Sequence, residues 1–402
     1  MEDNKALVIG GGVAGVQCAI TLSKNGVDVY LVEEKPWIGG WGYLSLEPNG
    51  LTFPGPFVFS HDVKCLIPLG LSSSELARID MYMPAHVLDI TRSGKSFNVT
   101  LKVYGRGVSV ERCNLCGECE KTCPVKVDGK KAINLRPFSY PYIYAVNRDV
   151  CTRCRKCEAS CPEKAIRIEE VDEEHLLKLS VNLIVIATGQ VERENHLAMK
   201  SAGRVISLTS FLEYLAGYRE LGFKPRKVFL TVEGREGSGV NVLSYFVFKA
   251  ALTAVKNNLD VIVNHEKLPK LNLYTPSSLK PLIDEIVLVR GSVSSLKEDP
   301  QKITVKTDRG EEFEVDLVVV AGELAPSKGT EYISRLIGLA RSKDGFIKPV
   351  NGFYSETRTP VDQVYVCGAA KKPMALFSSV VDGILCAHEV LLGLYGGAEK
   401  VK

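Results

Sequence analysis

Hydrophobic and polar positions follow more than one rhythm along the 402-residue chain. Lys5–Ile9 is a short apolar, partly β-branched run, and glycines crowd the loop from Gly10 to Gly15. A helix-like segment reaches Ser23, Asn25-Gly26 stops it, and Asp28–Val32 reads as strand again, so the pattern predicts a βαβ opening. Residues 87–103 alternate with period two around Ser93-Gly94, which predicts a small antiparallel meander. Residues 181–187 are read as one continuous buried strand, ending in Thr188-Gly189. A second strand–loop–helix–strand follows over 228–232, 234–239, 240–256 and 260–264. Near the end, Val364–Val366 is a strand running into Gly368, and 378–392 reads as a closing helix. Residues 108–176 share neither period. They are rich in Cys, Lys, Glu and Pro, and they interrupt an α/β pattern as an insertion would.

Cysteine usage changes the picture most. Eight of the twelve cysteines fall within the 49 residues from Cys113 to Cys161. Disulfide scaffolds spread their pairs through a small fold, so this dense local cluster points to metal ligation in a reducing compartment. Cys113, Cys116, Cys119, Cys123 and Pro124 spell C-x2-C-x2-C-x3-C-P, and Cys151, Cys154, Cys157, Cys161 and Pro162 repeat it. Two-residue gaps curl three thiolates around one cubane, while the fourth cysteine points away to the neighbouring cluster. The expected assignment is one [4Fe–4S] cluster on Cys113, Cys116, Cys119 and Cys161, and a second on Cys151, Cys154, Cys157 and Cys123. Zinc, the alternative for C-x2-C pairs, uses four ligands in two pairs rather than tandem quartets.

Gly10-x-Gly12-x-x-Gly15 follows a strand and opens a helix, the context a dinucleotide fingerprint needs. Its glycines admit a diphosphate at the helix N-terminus, with Val13 and Ala14 in the first turn. Glu33 closes the next strand 18 residues after Gly15, where a carboxylate accepts from a ribose hydroxyl; Glu34 and Lys35 adjoin it. Gly39-Gly40 after Glu33, Val87 at the start of the meander, the Ala187-Thr188-Gly189 turn and Thr359 to Gly368 resemble the pattern of two-dinucleotide-binding flavoproteins. That resemblance favours FAD over NAD. In such proteins an Asp follows the late Gly and binds the ribityl chain; here Ala369 stands there. Lys371 and Lys372 read as solvated surface charges, with charge stabilisation of a reduced flavin as the alternative. The closing helix offers its N-terminal N–H groups to the flavin ring.

Other signals are missing. Gly234, Gly237 and Gly239 mark the second loop, but Val242 stands where a third glycine belongs, so the second unit is read as Rossmann-like in shape without its nucleotide. No C-x-x-C lies outside the cluster cysteines. Cys18, Cys65, Cys367 and Cys386 read as small buried hydrophobes, with Cys367 near enough to Gly368 to face a flavin. The six histidines form no ligand-spaced pair. No residue reads as a substrate acid, base or nucleophile. The formal charge of +3 carries no basic stripe, which argues against nucleic acid. Uninterrupted apolar runs fall short of the ~18 residues of a membrane helix, and no secretory signal is expected. The expected location is cytoplasmic, with membrane association only through partners.

Together the flavin half, cysteine insertion, Ala-Thr-Gly turn and second half resemble the A subunits of heterodisulfide reductases. Residues 8–15, 33–40, 131–151 (through Pro137-Phe138) and 316–329 (with Ala325-Pro326-Ser327) carry the likeness. Three departures stand out. A tract around a cysteine-leucine-threonine-proline-lysine-methionine sequence appears only in altered form at Cys65-Leu66-Ile67-Pro68. No cysteine lies between Cys161 and Cys367, so a further cluster of full-length members is expected to be missing. Their separate N-terminal domain and C-terminal ferredoxin domain are expected to have no counterpart here. The likeness is to short A-like subunits of sulfur oxidisers, or to flavoproteins of quinone-interacting complexes.

The resemblance implies an α/β, thioredoxin-reductase-like flavoprotein with two dinucleotide-binding domains and an inserted α+β 2[4Fe–4S] ferredoxin domain. The expected organisation is a flavin domain over 1–107, the insertion over 108–176, a return over 177–224, the second Rossmann-like domain over 225–325 and the flavin domain's C-terminal part over 326–402. It implies electron transfer between FAD and the two clusters to B- and C-type subunits or another electron carrier in thiol–disulfide metabolism; a homodimer is compatible. The rival readings are a self-sufficient NAD(P)H-oxidising reductase and a non-catalytic scaffold.

Overall fold

The computed structural model describes residues 4–45, 78–136, 140–193, 203–232, 239–265, 280–350 and 355–395. The altered Cys65–Pro68 tract, Pro137-Phe138 and the loop glycines Gly234 and Gly237 lie outside them. The chain divides into two compact units, one of residues 1–46, 51–190 and 326–402, the other of 47–50 and 191–325.

In the first unit, β1 (Lys5–Ile9), α1 (Val13–Lys24) and β2 (Asp28–Val32) form the expected βαβ. Gly26, at φ +82°, turns the chain where Asn25-Gly26 predicts the stop. The five-stranded sheet runs Val364–Val366, β3 (Leu183–Ile186), β1, β2, Ile79–Tyr82, and its paired strands are all parallel. Both faces are covered, so β3 is buried throughout, as a run of Leu-Ile-Val-Ile requires. The expected strand over 181–187 is in fact two. Asn182 breaks it, and its side chain accepts the Lys5 N–H at 2.9 Å, while Glu174–Val181 belongs to an antiparallel sheet.

That sheet explains how the insertion is tolerated. Ala85–Ser93 and Ser96–Tyr104 form the predicted meander around Gly94, and Glu174–Val181 pairs with Ser96–Tyr104 from Tyr104 opposite Glu174 onward. The intervening residues thus leave and re-enter at one strand pair. Lys102 and Arg148 both grip Glu174 there, at 2.6 and 2.9 Å.

In the second unit, β4 (Lys227–Val232), α2 (Val240–Lys256) and β5 (Asp260–Asn264) form another βαβ. The parallel order is Val205–Ser207, Leu317–Ala321, β4, β5, Val287–Val289. This corrects the expected return of 177–224 to the flavin part: 177–190 do return, but 191–224 join the second unit. Val205–Ser207 pairs with Leu317–Ala321, and the half-buried Glu192 carboxylate accepts from the N–H groups of Leu208, Thr209 and Gly322.

The closing helix runs Leu376–Tyr395, longer than expected, and by length and composition alone it is apolar enough to cross a membrane. Its two acids interrupt the apolar runs, which is why run length alone did not flag it. Cys386, Ala387 and Val390 are buried in the core shared with α1.

Candidate functional site

The glycine loop is built by close approach. A Cβ on Gly15 would lie 2.0 Å from the Gly10 carbonyl oxygen, and one on Gly10 would lie 2.3 Å from that of Ala187. These glycines let loop, helix and β3 touch. Gly12 differs: a Cβ there would meet nothing within 4 Å. Its open side, at the mouth of α1, is the space a diphosphate needs, above N–H groups the helix leaves without partners. Gly39 donates to the Gly11 carbonyl at 2.7 Å, and a Cβ on Gly40 would lie 2.9 Å from the Gly12 Cα. The structure therefore brings Gly10–Gly15, Gly39-Gly40 and Ala187 to one place.

Glu33 accepts the N–H groups of Gly11 at 2.7 Å and Lys35 at 2.9 Å. Burial pushes its carboxyl above the ordinary glutamate range, and these two donors offset part of that rise. The Glu33 carbonyl accepts from Ala85, which sets the start of Val87's strand beside it. Val87 is buried, next to a shift in register before Asp89, whereas Glu34 is exposed. Thr188 pairs through its hydroxyl with Thr330 at 2.7 Å, and a Cβ on Gly189 would meet nothing within 4 Å.

Around Gly368 the structure departs from the sequence reading. Ala369 is buried, and the carboxylate at this turn comes from the closing helix: Asp382 accepts the Gly368 N–H at 2.6 Å. Lys371 is not a solvated charge. It is buried, with its ammonium 2.7 Å from Asp382 and 2.7 Å from the Glu356 carbonyl; Lys372 is exposed. An acid set among apolar residues of the closing helix was the signal that could have found Asp382. Cys367 turns away from a ligand-facing role into the core, where its sulfur, Cys18's and Cys386's lie within 4.8 Å of one another, all wholly buried.

The cysteine repeats build two like halves. Glu118–Thr122 and Lys156–Ser160 are one-turn helices, each preceded by two left-handed residues: Leu115 and Gly117 in one, Arg153 and Arg155 in the other. That double reversal folds the first three cysteines of each repeat inward. One cavity is lined by Cys113, Cys116, Cys119 and, from the other repeat, Cys161. The second is lined by Cys151, Cys154, Cys157 and Cys123. Burial pushes the Cys119 thiol up to about 12 and Cys157 up to about 11. Thiolates there require facing positive charge, which iron supplies. Four sulfurs converging on each cavity fit a cubane. Cys116 and Cys154 are exposed and form the rims.

The insertion is fixed to the glycine cradle. Trp37 donates its indole N–H to the Ile143 carbonyl at 3.3 Å, Ile38 pairs with Tyr140, and Arg136 donates to the Gly40 carbonyl at 2.8 Å. Sequence reasoning missed Arg136, whose partner lies 96 positions earlier.

A family model described as FAD dependent oxidoreductase matches residues 6–45, and two 4Fe-4S binding domain models match 110–126 and 144–167. The iron-sulfur A subunit of the CoB--CoM heterodisulfide reductase of Methanocaldococcus jannaschii is 27% identical over 445 aligned positions, covering 100% of this chain and 66% of that protein. The A subunit of the Ferredoxin:CoB-CoM heterodisulfide reductase of Methanosarcina acetivorans is 26% identical, with 95% and 56% covered. The chain thus spans less than two thirds of the length of these relatives. Among solved structures, thioredoxin reductase of T. acidophilum superposes with a TM-score of 0.51 at 15% identity, covering 96% of each chain. The fold is that of a thioredoxin-reductase-like flavoprotein carrying a ferredoxin-type insertion, and the cofactors are FAD and two [4Fe–4S] clusters.

Proposed function

We propose that this chain, an oxidoreductase homologous to the A subunits of heterodisulfide reductases, passes electrons between FAD and its two clusters and on to partner subunits in thiol–disulfide metabolism. When bound, FAD supplies a two-electron carrier and the clusters one-electron carriers. The chain's own residues hold and separate them. In this reading Gly10–Gly15 with Val13 and Ala14, Glu33 to Lys35, Gly39-Gly40, Val87, Ala187–Gly189, Gly368 and Ala369 frame the flavin. The two sets of four cysteines ligate the clusters. The partners are B- and C-type subunits or another electron carrier, and the location is cytoplasmic.

One observation carries the reading. The cysteine insertion is not a tethered bead but is hydrogen-bonded, through Trp37, Ile38 and Gly40, to the segment that frames the dinucleotide. Electron transfer needs carriers held within short reach of one another, which such anchoring favours; a scaffold has no such need. The test is anaerobic reductive titration of the reconstituted chain, followed by EPR. About eight iron atoms per flavin should load, and both kinds of carrier should reduce reversibly. Cys116→Ala should lose about half the iron and one EPR signal. Zinc in place of iron, or clusters that do not reduce, would overturn the proposal.

A further inference from the structure

Arg136 follows the insertion strand Ile133–Leu135, yet its side chain belongs to the flavin cradle. It is only 5% exposed, its Nη2 donates to the Gly40 carbonyl, and its guanidinium carbon lies 5.9 Å from the centre of the Trp37 ring. Its charge also acts on Glu33, favouring the carboxylate. Gly40 abuts Gly12, the glycine whose open side faces the mouth of α1. A fixed cation therefore stands beside the loop that meets a dinucleotide.

The loop itself carries no charge. Gly10 to Gly15 has no basic residue and the first turn of α1 has no acid; ionic groups near it among the described residues include Glu33, Glu34, Lys35 and Lys130. Lys35 is exposed. Arginine's planar fork matches phosphate oxygens two at a time.

We propose that Arg136, supplied by the iron–sulfur insertion, belongs to the FAD site and recognises the diphosphate of its nucleotide half. This rests on FAD occupying the Gly10–Gly15 and Glu33 cradle. It makes flavin retention depend on the folded insertion, which lends the flavin region one binding residue.

The test uses the full chain with clusters loaded and FAD released, titrated with FAD, ADP and adenosine. Arg136→Gln keeps a donor near Gly40 but removes the charge; Arg136→Lys keeps the charge. Arg136→Gln should weaken FAD and ADP by about tenfold or more, the range of a charged hydrogen bond, and adenosine by less than about twofold. It should also flatten the salt dependence of ADP binding, and Arg136→Lys should restore both in part. Unchanged FAD and ADP affinity overturns the proposal. So does parallel loss of adenosine, which marks a role in shaping Gly40 alone. If Arg136→Gln fails to load iron, Arg136→Lys decides: a salt slope and ADP affinity far below wild type there would sink the claim. Wild-type chain that binds adenosine and ADP equally and no FAD would instead sink the underlying reading.

Discussion

The two βαβ openings share a plan and differ at the second strand's end. After β2, Glu33 turns its carboxylate to two backbone N–H groups and lies against Gly11, the residue before the open Gly12. After β5, the polar side chains turn on one another: Thr231 donates to Asn264 at 3.2 Å, and Ser244 pairs with His265 at 2.6 Å, all four buried. In the first helix Gly15 allows near-contact with the preceding loop, while in the second Val242 carries a side chain at that register. One architecture can therefore present a ligand cradle or consume its polar groups as core, and the choice rests on a handful of residues at the strand ends.

The largest effect should come from Gly15→Ala. Its Cβ has no room beside the Gly10 carbonyl, so helix and loop must separate, at a cost of about 1–3 kcal/mol. FAD content should fall to near zero, with a lower Tm. Retention of full FAD would show that close approach is not what makes the first opening a cradle.

Glu33→Gln should weaken FAD about tenfold, the loss of a charged acceptor. Because burial raises the Glu33 carboxyl, it takes up its proton at a pH where an ordinary glutamate has already released it. Acidification should thus release FAD earlier than an ordinary carboxylate would. The FAD-free fold behaves oppositely: its stability rises as pH falls through that raised value toward the ordinary glutamate range, and is lost again as pH climbs and the group ionises. Fluorescence titration of FAD across pH checks this, with Glu33→Gln expected to remove the acidic limb. An unchanged limb in the variant would remove Glu33 from the comparison.

The smallest effect should come from the second opening. Thr231→Val should cost about 1 kcal/mol, the loss of one buried hydrogen bond, with FAD affinity unchanged. NADH or NADPH mixed anaerobically with wild type or variant should leave the flavin colour intact. Rapid bleaching would make the second opening a working nucleotide site and favour a self-sufficient reductase.

Local patterns were readable from sequence because their causes are local. Glycine spacing, the Asn25-Gly26 stop, the meander around Gly94 and the tandem cysteine spacing all act over a few residues. What escaped depends on distant partners. Val205–Ser207 is too short to show a period, and its place in the second sheet is set by Leu317–Ala321, more than a hundred positions later. Lys371 looks like any surface lysine until Asp382 swings in from a helix. Arg136 reads as a polar residue in a polar insertion until Gly40 accepts from it.

Each sulfur-lined hollow takes its last wall from the opposite repeat. A polypeptide cut anywhere between Cys123 and Cys151 would forfeit both hollows, and half of the duplication moved elsewhere would carry neither. Deleting one repeat is thus no route to a one-centre protein. Only point replacement of a single lining cysteine can separate the fates of the two.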